Sequence, residues 1–210
     1  LPRIPALVRK LVRRLCRERL TMTLQAKPVN AALEIIETDL PAGTVLHLWL
    51  KARSAGSEAK LFVTVGGNDL ASPSTHRAAE FEFFAVALEA GGRTVLACDA
   101  TTTAVSVAYA FHPQMVLEEG IHVLFRDTRT APPQLPAGYH FRPPFGWMND
   151  PNGFGRFAGR GHLFYQHYPH GLRWNTMHWG HAVSKDFIRW THLPMFLFPA
   201  DHLCETDDGR

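Results

Sequence analysis

The sequence lacks the features that would assign it to the membrane-spanning, disulfide-rich or zinc-binding classes. No apolar run approaches the about 20 residues that a helix needs to cross a bilayer. The three cysteines, Cys16, Cys98 and Cys204, are odd in number and widely spaced, which fits neither a disulfide framework nor a CxxC metal site. Without paired cysteines or a clear secretory signal, the sequence predicts a cytoplasmic protein.

A marked excess of charge of one sign is found only in the N-terminal segment. The formal net charge is +3, and residues 3–19 carry seven basic residues against a single acid, Glu18. Because the rest of the chain is slightly acidic, the composition does not indicate nucleic-acid binding. We interpret residues 1–23 as a basic leader, helical or disordered, without a role in function. The alternative is a segment that binds a membrane surface, since its leucines recur at every fourth position; we expect no membrane partner.

Residues 24–129 are dominated by strand signals separated by turn sequences such as SAGSE, GGND, EAGGR and DATTT. The predicted strands are 44–52, 59–65, 80–88, 93–100 and 104–111. In the last of these, large apolar residues from Val105 to Phe111 alternate with Ser and Ala, which predicts one well-buried face. Short strands at this spacing predict an antiparallel β-sandwich-like accessory domain.

The aromatic residues of this region have two interpretations. Trp49 and the phenylalanines at 81, 83 and 84 would suit a sugar-stacking platform. Their place inside strand-like runs favours a position in the core instead.

The composition changes after residues 130–138 (TAPPQLPAG), which predict a Pro-rich linker. Residues 139–210 are rich in aromatics and histidines, with strands predicted in HLFYQHY and MHWGHAVS and a third following SKDFIRW. Before these strands stands WMNDPNG, residues 147–153, in which DPNG predicts a tight turn. Taken alone, the stretch is either a hairpin turn whose polar groups serve the turn or a carboxylate at the mouth of a site.

Asp150 is the candidate catalytic residue of this stretch. Pro151 restricts the backbone of Asp150 to extended conformations. Asn149 offers amide hydrogen bonds to a sugar hydroxyl, and Trp147 offers an apolar wall for a sugar ring. A retaining glycosidase uses two carboxyl groups about 5 Å apart, one of which is the nucleophile.

Four linked motifs decide between these interpretations. GWMNDPNG, HLFYQHYP, W-x-x-MHWGHAVSKD and W-x-HLP occur between Tyr139 and about residue 209. In this order and spacing they resemble glycoside hydrolase family 32, the β-fructofuranosidases, which include invertases, levanases, inulinases and sucrose-6-phosphate hydrolases. The resemblance implies an all-β fold in which the first blade or blades of a five-bladed β-propeller, residues 139–210, follow the sandwich-like domain. It also implies a retaining double displacement on a β-fructofuranoside, with Asp150 as nucleophile.

The resemblance assigns substrate-binding residues as well. Asn149, beside Trp147, would help to hold the terminal fructose, Gln166 matches a fructose-binding glutamine, and Trp174 matches a tryptophan that lines the same pocket. The implied partner is a small-molecule or oligosaccharide fructoside, without nucleic acid, cofactor or metal.

Two motifs of the family are missing from the sequence: an Arg-Asp-Pro motif with a transition-state-stabilising Asp, and a Glu-Cys-type motif with the general acid/base Glu. We therefore expect an incomplete propeller and no fructoside hydrolysis by the 210-residue polypeptide alone, since general acid–base catalysis contributes about 10²–10⁴-fold. The alternatives are a non-catalytic carbohydrate-binding protein and a fructosyltransferase, which shares the nucleophile.

Numerous histidines in the last third raise the alternative of a metal site. His178 and His181 lie in a predicted strand, where positions i and i+3 point to opposite faces, so we do not expect them to bind one ion. The sequence contains no HExxH motif or Cys/His set that would indicate zinc. Ser184, Lys185 and Asp186 follow a predicted strand and favour a turn over a catalytic triad.

Overall fold

The computed structural model describes residues 33–127 and 140–199, so the predicted leader and linker lie outside the described residues. The chain divides into two compact units, residues 1–105 and 106–210. No helix in the described part is long and apolar enough to cross a membrane. The all-β prediction is confirmed. Apart from one helical turn, α1 (Val116–Glu119), the elements within the described residues are the strands β1 (Leu33–Leu40), β2 (Val45–Ala52), β3 (Ala59–Val65), β4 (Asn68–Ala71), β5 (Ser74–Thr75), β6 (Glu82–Ala87), β7 (Gly92–Asp99), β8 (Thr103–Phe111), β9 (His122–Arg126), β10 (Trp147–Phe157), β11 (Arg160–Tyr168), β12 (His178–Ser184) and β13 (Thr191–Leu197).

The first unit contains β1 to β7 and the beginning of β8. One antiparallel sheet has the strand order β1–β7–β3–β4, and β5 also pairs with β3. β2 pairs with β6 and packs against β3. The strands are therefore arranged as in an antiparallel sandwich, with neighbours in each layer that are distant in the chain.

The core of this unit lies along β2. Leu46, Leu48 and Leu50 alternate along the strand and are completely buried. Each buried leucine side chain contributes about 1.5–3 kcal/mol relative to an exposed one. Trp49 is completely buried too, with its ring centroid 4.9 Å from that of Phe83. Trp49 is thus a core residue, as its strand position favoured, and not an exposed sugar-stacking platform.

The turns that connect these strands follow the sequence signals. Between β3 and β4, Gly66 and Gly67 have φ of 56° and 83°, a left-handed conformation that glycine adopts without steric cost. Between β7 and β8, the Asp99 carboxylate accepts a hydrogen bond of 2.8 Å from the Thr101 amide, which closes an Asx turn. The GGND and DATTT turns are confirmed.

β8 differs from its prediction. The alternation of large and small residues predicted one well-buried face, but Ser106, Ala108 and Ala110 are buried together with Val107 and Tyr109. The alternation is one of size rather than polarity, because alanine is apolar and small enough to be closely packed. Both faces of β8 are therefore buried.

The second unit contains the rest of β8 and every later element. β8 pairs with β9 in antiparallel register, and α1 lies between them in the chain. β10, β11, β12 and β13 then form a four-stranded antiparallel sheet in chain order. A four-stranded antiparallel sheet is the repeating blade of β-propellers. This sheet, called the blade below, carries the WMNDPNG stretch.

The segment that precedes the blade packs against it within this unit. The Tyr109 ring stacks on Phe145 with a centroid distance of 6.1 Å, and its hydroxyl oxygen accepts a hydrogen bond of 3.1 Å from the Met195 amide. The Ile121 amide donates to the His192 carbonyl at 2.9 Å. Residues before and after the linker therefore share one packed structure.

Candidate active site

The WMNDPNG stretch lies in a strand and not in a turn. β10 runs from Trp147 to Phe157, and the chain reverses only at Ala158 and Gly159, whose φ values are 48° and 77°. Two consecutive residues with positive φ suit a two-residue hairpin. The predicted DPNG turn is wrong, because pairing with β11 overrides the local turn preference of these residues.

β10 accommodates its proline because it is a bulged edge strand. It is the first strand in the order β10–β11–β12–β13, and its register against β11 shifts twice, once on each side of Pro151. Each shift leaves one extra residue on β10. Proline has no N–H to donate to a ladder, so it is confined to edge strands and bulges. Bulges also redirect side chains beside active sites, and these two flank the position next to Asp150.

The Asp150 side chain is open to a ligand. The residue is exposed, and no other described side chain or backbone group forms a hydrogen bond or ion pair with its carboxylate. A nucleophile needs this accessibility at the reacting carbon.

Trp147 orients Asn149. The indole Nε1–H of Trp147 donates a hydrogen bond of 2.7 Å to Oδ1 of Asn149. Because the amide oxygen is engaged, the NH₂ group is the part of Asn149 that remains to donate to a ligand. Trp147 itself is 36% exposed, so its ring still presents apolar surface.

Gln166 lies on the same face of the blade as Trp147. Tyr168 stands directly opposite Trp147 in the ladder between β10 and β11. Gln166 is two residues from Tyr168, and side chains two apart on a strand point to the same side. The structure therefore brings Trp147, Asn149 and Gln166 to one face of two adjacent strands.

Trp174 lies outside the strands that carry these residues. It lies in the loop of residues 169–177 between β11 and β12, and its side chain is 68% exposed. Its ring makes no contact with another described aromatic ring. The binding roles of Trp147, Asn149, Gln166 and Trp174 stay predictions, as does the catalytic role of Asp150.

His167 supports the start of β10 and was missed in the sequence. It is 2% exposed, and its Nδ1–H donates a hydrogen bond of 2.9 Å to the carbonyl oxygen of Trp147. Burial lowers the pKa of His167 to about 3, so the imidazole is neutral with its proton on Nδ1. Alternation in HLFYQHY places His167 on the buried side of β11, where a polar ring needs a hydrogen-bond partner. That requirement was the available signal.

The histidine pair in β12 is divided between two faces, as the strand period predicted. His178 is buried opposite His167, whereas His181 stacks on Phe164 at a centroid distance of 4.2 Å. Nε2 of His181 lies 3.0 Å from Nδ1 of His162. Across residues 33–127 and 140–199, no three His, Cys, Asp or Glu side chains are grouped so that they could hold a metal ion.

The predicted turn at Ser184, Lys185 and Asp186 is confirmed. Ser184 Oγ accepts a hydrogen bond of 2.7 Å from the Phe187 amide. Asp186 accepts one of 2.8 Å from the Arg189 amide, and backbone hydrogen bonds of this kind lower the pKa of Asp186 to about 2. Both side chains therefore stabilise the turn between β12 and β13.

Comparison with known proteins agrees with the geometry of the blade. Residues 140–206 match the family model described as the glycosyl hydrolases family 32 N-terminal domain. A levanase of Bacillus subtilis is 62% identical over 61 residues, which are 29% of this chain and 9% of the levanase. A sucrose-6-phosphate hydrolase of Escherichia coli is 56% identical over 63 residues, 30% of this chain and 13% of that protein. The chain thus spans only a small part of these relatives.

A solved structure extends the similarity beyond the matched domain. A glycoside hydrolase family 32 protein from Bifidobacterium adolescentis aligns with a TM-score of 0.69 and 30% sequence identity. The alignment covers 80% of this chain, and so includes strands before residue 140, but only 28% of that protein. The resemblance predicted from the four motifs is confirmed: residues 140–206 match the N-terminal domain of glycosyl hydrolase family 32.

Proposed function

We propose that this protein is a glycoside hydrolase that acts on β-fructofuranosides, with Asp150 as its nucleophile. The observation that carries the proposal is the exposed Asp150 on a bulged edge strand, inside the segment that matches the family and beside Trp147 and Asn149. The names of similar proteins, levanase and sucrose-6-phosphate hydrolase, support a fructoside as substrate.

The proposed reaction is a retaining double displacement. The carboxylate of Asp150 attacks the anomeric carbon of the fructosyl unit, and a covalent ester forms as the glycosidic bond breaks. A second carboxylic acid protonates the leaving oxygen and then deprotonates the water that hydrolyses the ester. The Arg-Asp-Pro and Glu-Cys motifs that would supply the further carboxyl groups are not in the sequence. The 210-residue polypeptide alone is therefore proposed to be inactive on sucrose and inulin.

The binding side chains divide between polar and apolar contacts. The NH₂ group of Asn149 and the amide of Gln166 would bind the hydroxyl groups of the fructosyl unit. The indoles of Trp147 and Trp174 would form the apolar edge of the pocket. A few directed polar groups on an otherwise apolar wall are typical of small-molecule sites.

The nucleophile is tested with a substrate that needs no general acid. Nitrophenolate is a good leaving group, so 4-nitrophenyl β-fructofuranoside should transfer one fructosyl unit to Asp150 even without a proton donor. We expect intact-mass and peptide mass spectrometry to locate the adduct on the peptide with Asp150. The adduct should be absent in Asp150→Asn and present in Asp39→Asn, which changes another exposed strand carboxylate. An adduct that survives in Asp150→Asn would contradict the proposal.

The proposed inactivity has a separate test. The purified 210-residue polypeptide should show no significant release of fructose from sucrose or inulin. Turnover within tenfold of a complete family 32 enzyme would overturn it.

A carbohydrate-binding role is the second candidate, and the two exposed indoles of Trp147 and Trp174 favour it. In that case fructose affinity should be the same in wild type and Asp150→Asn, and no adduct should form. A fructosyltransferase would form the same adduct, but the ester would be resolved by a sugar, so incubation with added sucrose should give a trisaccharide.

A further inference from the structure

The loop that carries Trp174 has few contacts of its own. Residues 169–177 join β11 to β12, and near the far end Asn175 Nδ2 donates a hydrogen bond of 3.4 Å to the Tyr168 hydroxyl. The Thr176 amide donates to Oδ1 of Asn175 at 2.8 Å. Since the Trp174 ring packs against no other described ring, its position depends on how the loop backbone is held.

The beginning of this loop is bonded to β8. Ser106 Oγ and His170 Nδ1 lie 2.7 Å apart and share a hydrogen bond whose donor is set by the imidazole tautomer. The His170 ring also packs edge-on against Tyr168 and His178, at centroid distances of 5.2 and 5.3 Å. The second residue of the loop is therefore held from three sides.

Ser106 is a rigid anchor for this bond. It is 5% exposed within β8, and its carbonyl accepts a hydrogen bond of 2.9 Å from the Asp127 amide. Burying a hydroxyl group costs free energy unless the hydroxyl is hydrogen-bonded. If residue 106 served only to fill space, an alanine or valine would do so without this cost. The hydroxyl has its partner in the loop, which suggests that its role lies there.

We propose that Ser106, acting through His170, is a positioning residue that holds the loop of residues 169–177 so that Trp174 faces the fructosyl unit. This inference rests on the proposed function for the identity of the ligand, but the bond between β8 and the loop does not. The strand before the linker thereby contributes to a site whose candidate residues all lie after it.

The test compares Ser106→Thr, which keeps the hydroxyl, with Ser106→Val, which has the same shape without it. Trypsin cleaves after Arg173, in the exposed loop, and after Arg189, in the turn between β12 and β13. A hydrogen bond contributes about 1 kcal/mol, so Ser106→Val should be cleaved after Arg173 about fivefold faster than Ser106→Thr. Cleavage after Arg189 should be the same in both variants. Equal rates after Arg173, or faster cleavage at both sites in Ser106→Val, would overturn the proposal.

Ligand binding separates this inference from the proposed function. In an NMR titration with fructose, Ser106→Val should bind about fivefold more weakly than Ser106→Thr. Equal affinities combined with unequal cleavage would overturn the positioning of Trp174 for the sugar. If fructose does not bind to the wild-type chain at all, the proposed function loses its support, while the cleavage rates still decide whether Ser106 holds the loop.

Discussion

β8 and β10 are both long antiparallel strands, yet they differ completely in burial. Eight of the nine residues of β8 are buried, whereas none of the 11 residues of β10 is. β8 contains no glycine or proline, while β10 contains Pro151, Gly153 and Gly155. The comparison shows that the strand with a continuous run of buried residues supports the structure, and the exposed strand carries the candidate chemistry.

The difference has a physical reason. Side chains buried on both faces of a strand contribute packing energy, but they have no surface left for a ligand. An edge strand with two bulges loses regular ladder bonds and lies at the low end of local stability. The same arrangement leaves the Asp150 side chain and part of the Trp147 side chain exposed to solvent.

The largest expected effect is in β8. Tyr109→Ala removes a completely buried ring and the hydroxyl that accepts from Met195, so the free energy of unfolding should fall by about 3–5 kcal/mol. Asp150→Asn in β10 should change it by less than about 0.5 kcal/mol, because the side chain is exposed and unbonded. Urea denaturation followed by circular dichroism measures both. Similar losses in the two strands would contradict the comparison.

Acidification should destabilise the blade through the buried histidines of β11, β12 and β13. Burial lowers the pKa of His167 to about 3 and the pKa values of His178 and His192 to about 4, against about 6.5 in the unfolded chain. At pH values between the folded-state and unfolded-state pKa, the unfolded chain therefore binds more protons than the folded chain. The histidine contribution to stability is complete above pH 6.5 and is lost as the pH falls toward 4.

By pH 5 this loss should be on the order of 1 kcal/mol for each of these histidines. Urea midpoints at pH 7 and pH 5 measure it, and His192→Gln should show a smaller difference between the two pH values than the wild type. A wild-type midpoint that stays constant, or rises on acidification, would show that the three rings are not buried in neutral form.

Gly146 and Gly155 differ in how much space surrounds them, one just before β10 and the other within it. Gly146, with φ of 70°, precedes the strand, and an added Cβ would collide with the Tyr168 carbonyl and Pro169. Gly155, inside the strand, has open space around an added Cβ. Gly146→Ala should therefore destabilise the protein by at least about 1 kcal/mol, and Gly155→Ala should stay within about 0.5 kcal/mol of wild type. Thermal unfolding measures both, and equal effects would show that the entry into β10 is not constrained.

The smallest effect on stability is expected for Trp147→Phe. The change keeps an aromatic ring but removes the N–H that donates to Asn149 Oδ1, so the amide is free to rotate. Stability should change by less than about 0.5 kcal/mol, while fructose affinity should weaken about fivefold, the value of one hydrogen bond. An NMR titration measures the affinity. Unchanged binding would mean that Asn149 needs no orientation by the indole.

Most strands of the first unit follow from local sequence patterns. The predicted strand 59–65 coincides with β3, and 44–52 differs from β2 by one residue, because β-branched and aromatic runs bounded by glycines need little tertiary help. β1 was not predicted, since LEIIETDL carries three acids and acquires its strand form by pairing with β7. The DPNG turn failed for the same reason, because β11 decides the conformation of β10.

The candidate site likewise has features that follow from the local sequence and features that depend on tertiary contacts. The motifs identify Asp150 and the residues around it, because the chemistry of a carboxylate, an amide or an indole belongs to the side chain alone. They do not show that Trp147 donates to Asn149 or that His167 supports the backbone of β10. Those contacts depend on register and burial, which are not local properties.

The sequence by itself determined that the chain is built of strands, that its last third is similar to family 32, and which side chains are available for chemistry. Strand propensity and functional groups are carried by residues within a few positions of each other. Only the tertiary structure decided that DPNG is bulged strand, that β8 is buried on both faces, and that Ser106 reaches His170 across 64 positions of sequence. These features arise from contacts between distant segments, whose energies depend on a packed and water-free environment that no short stretch can form alone.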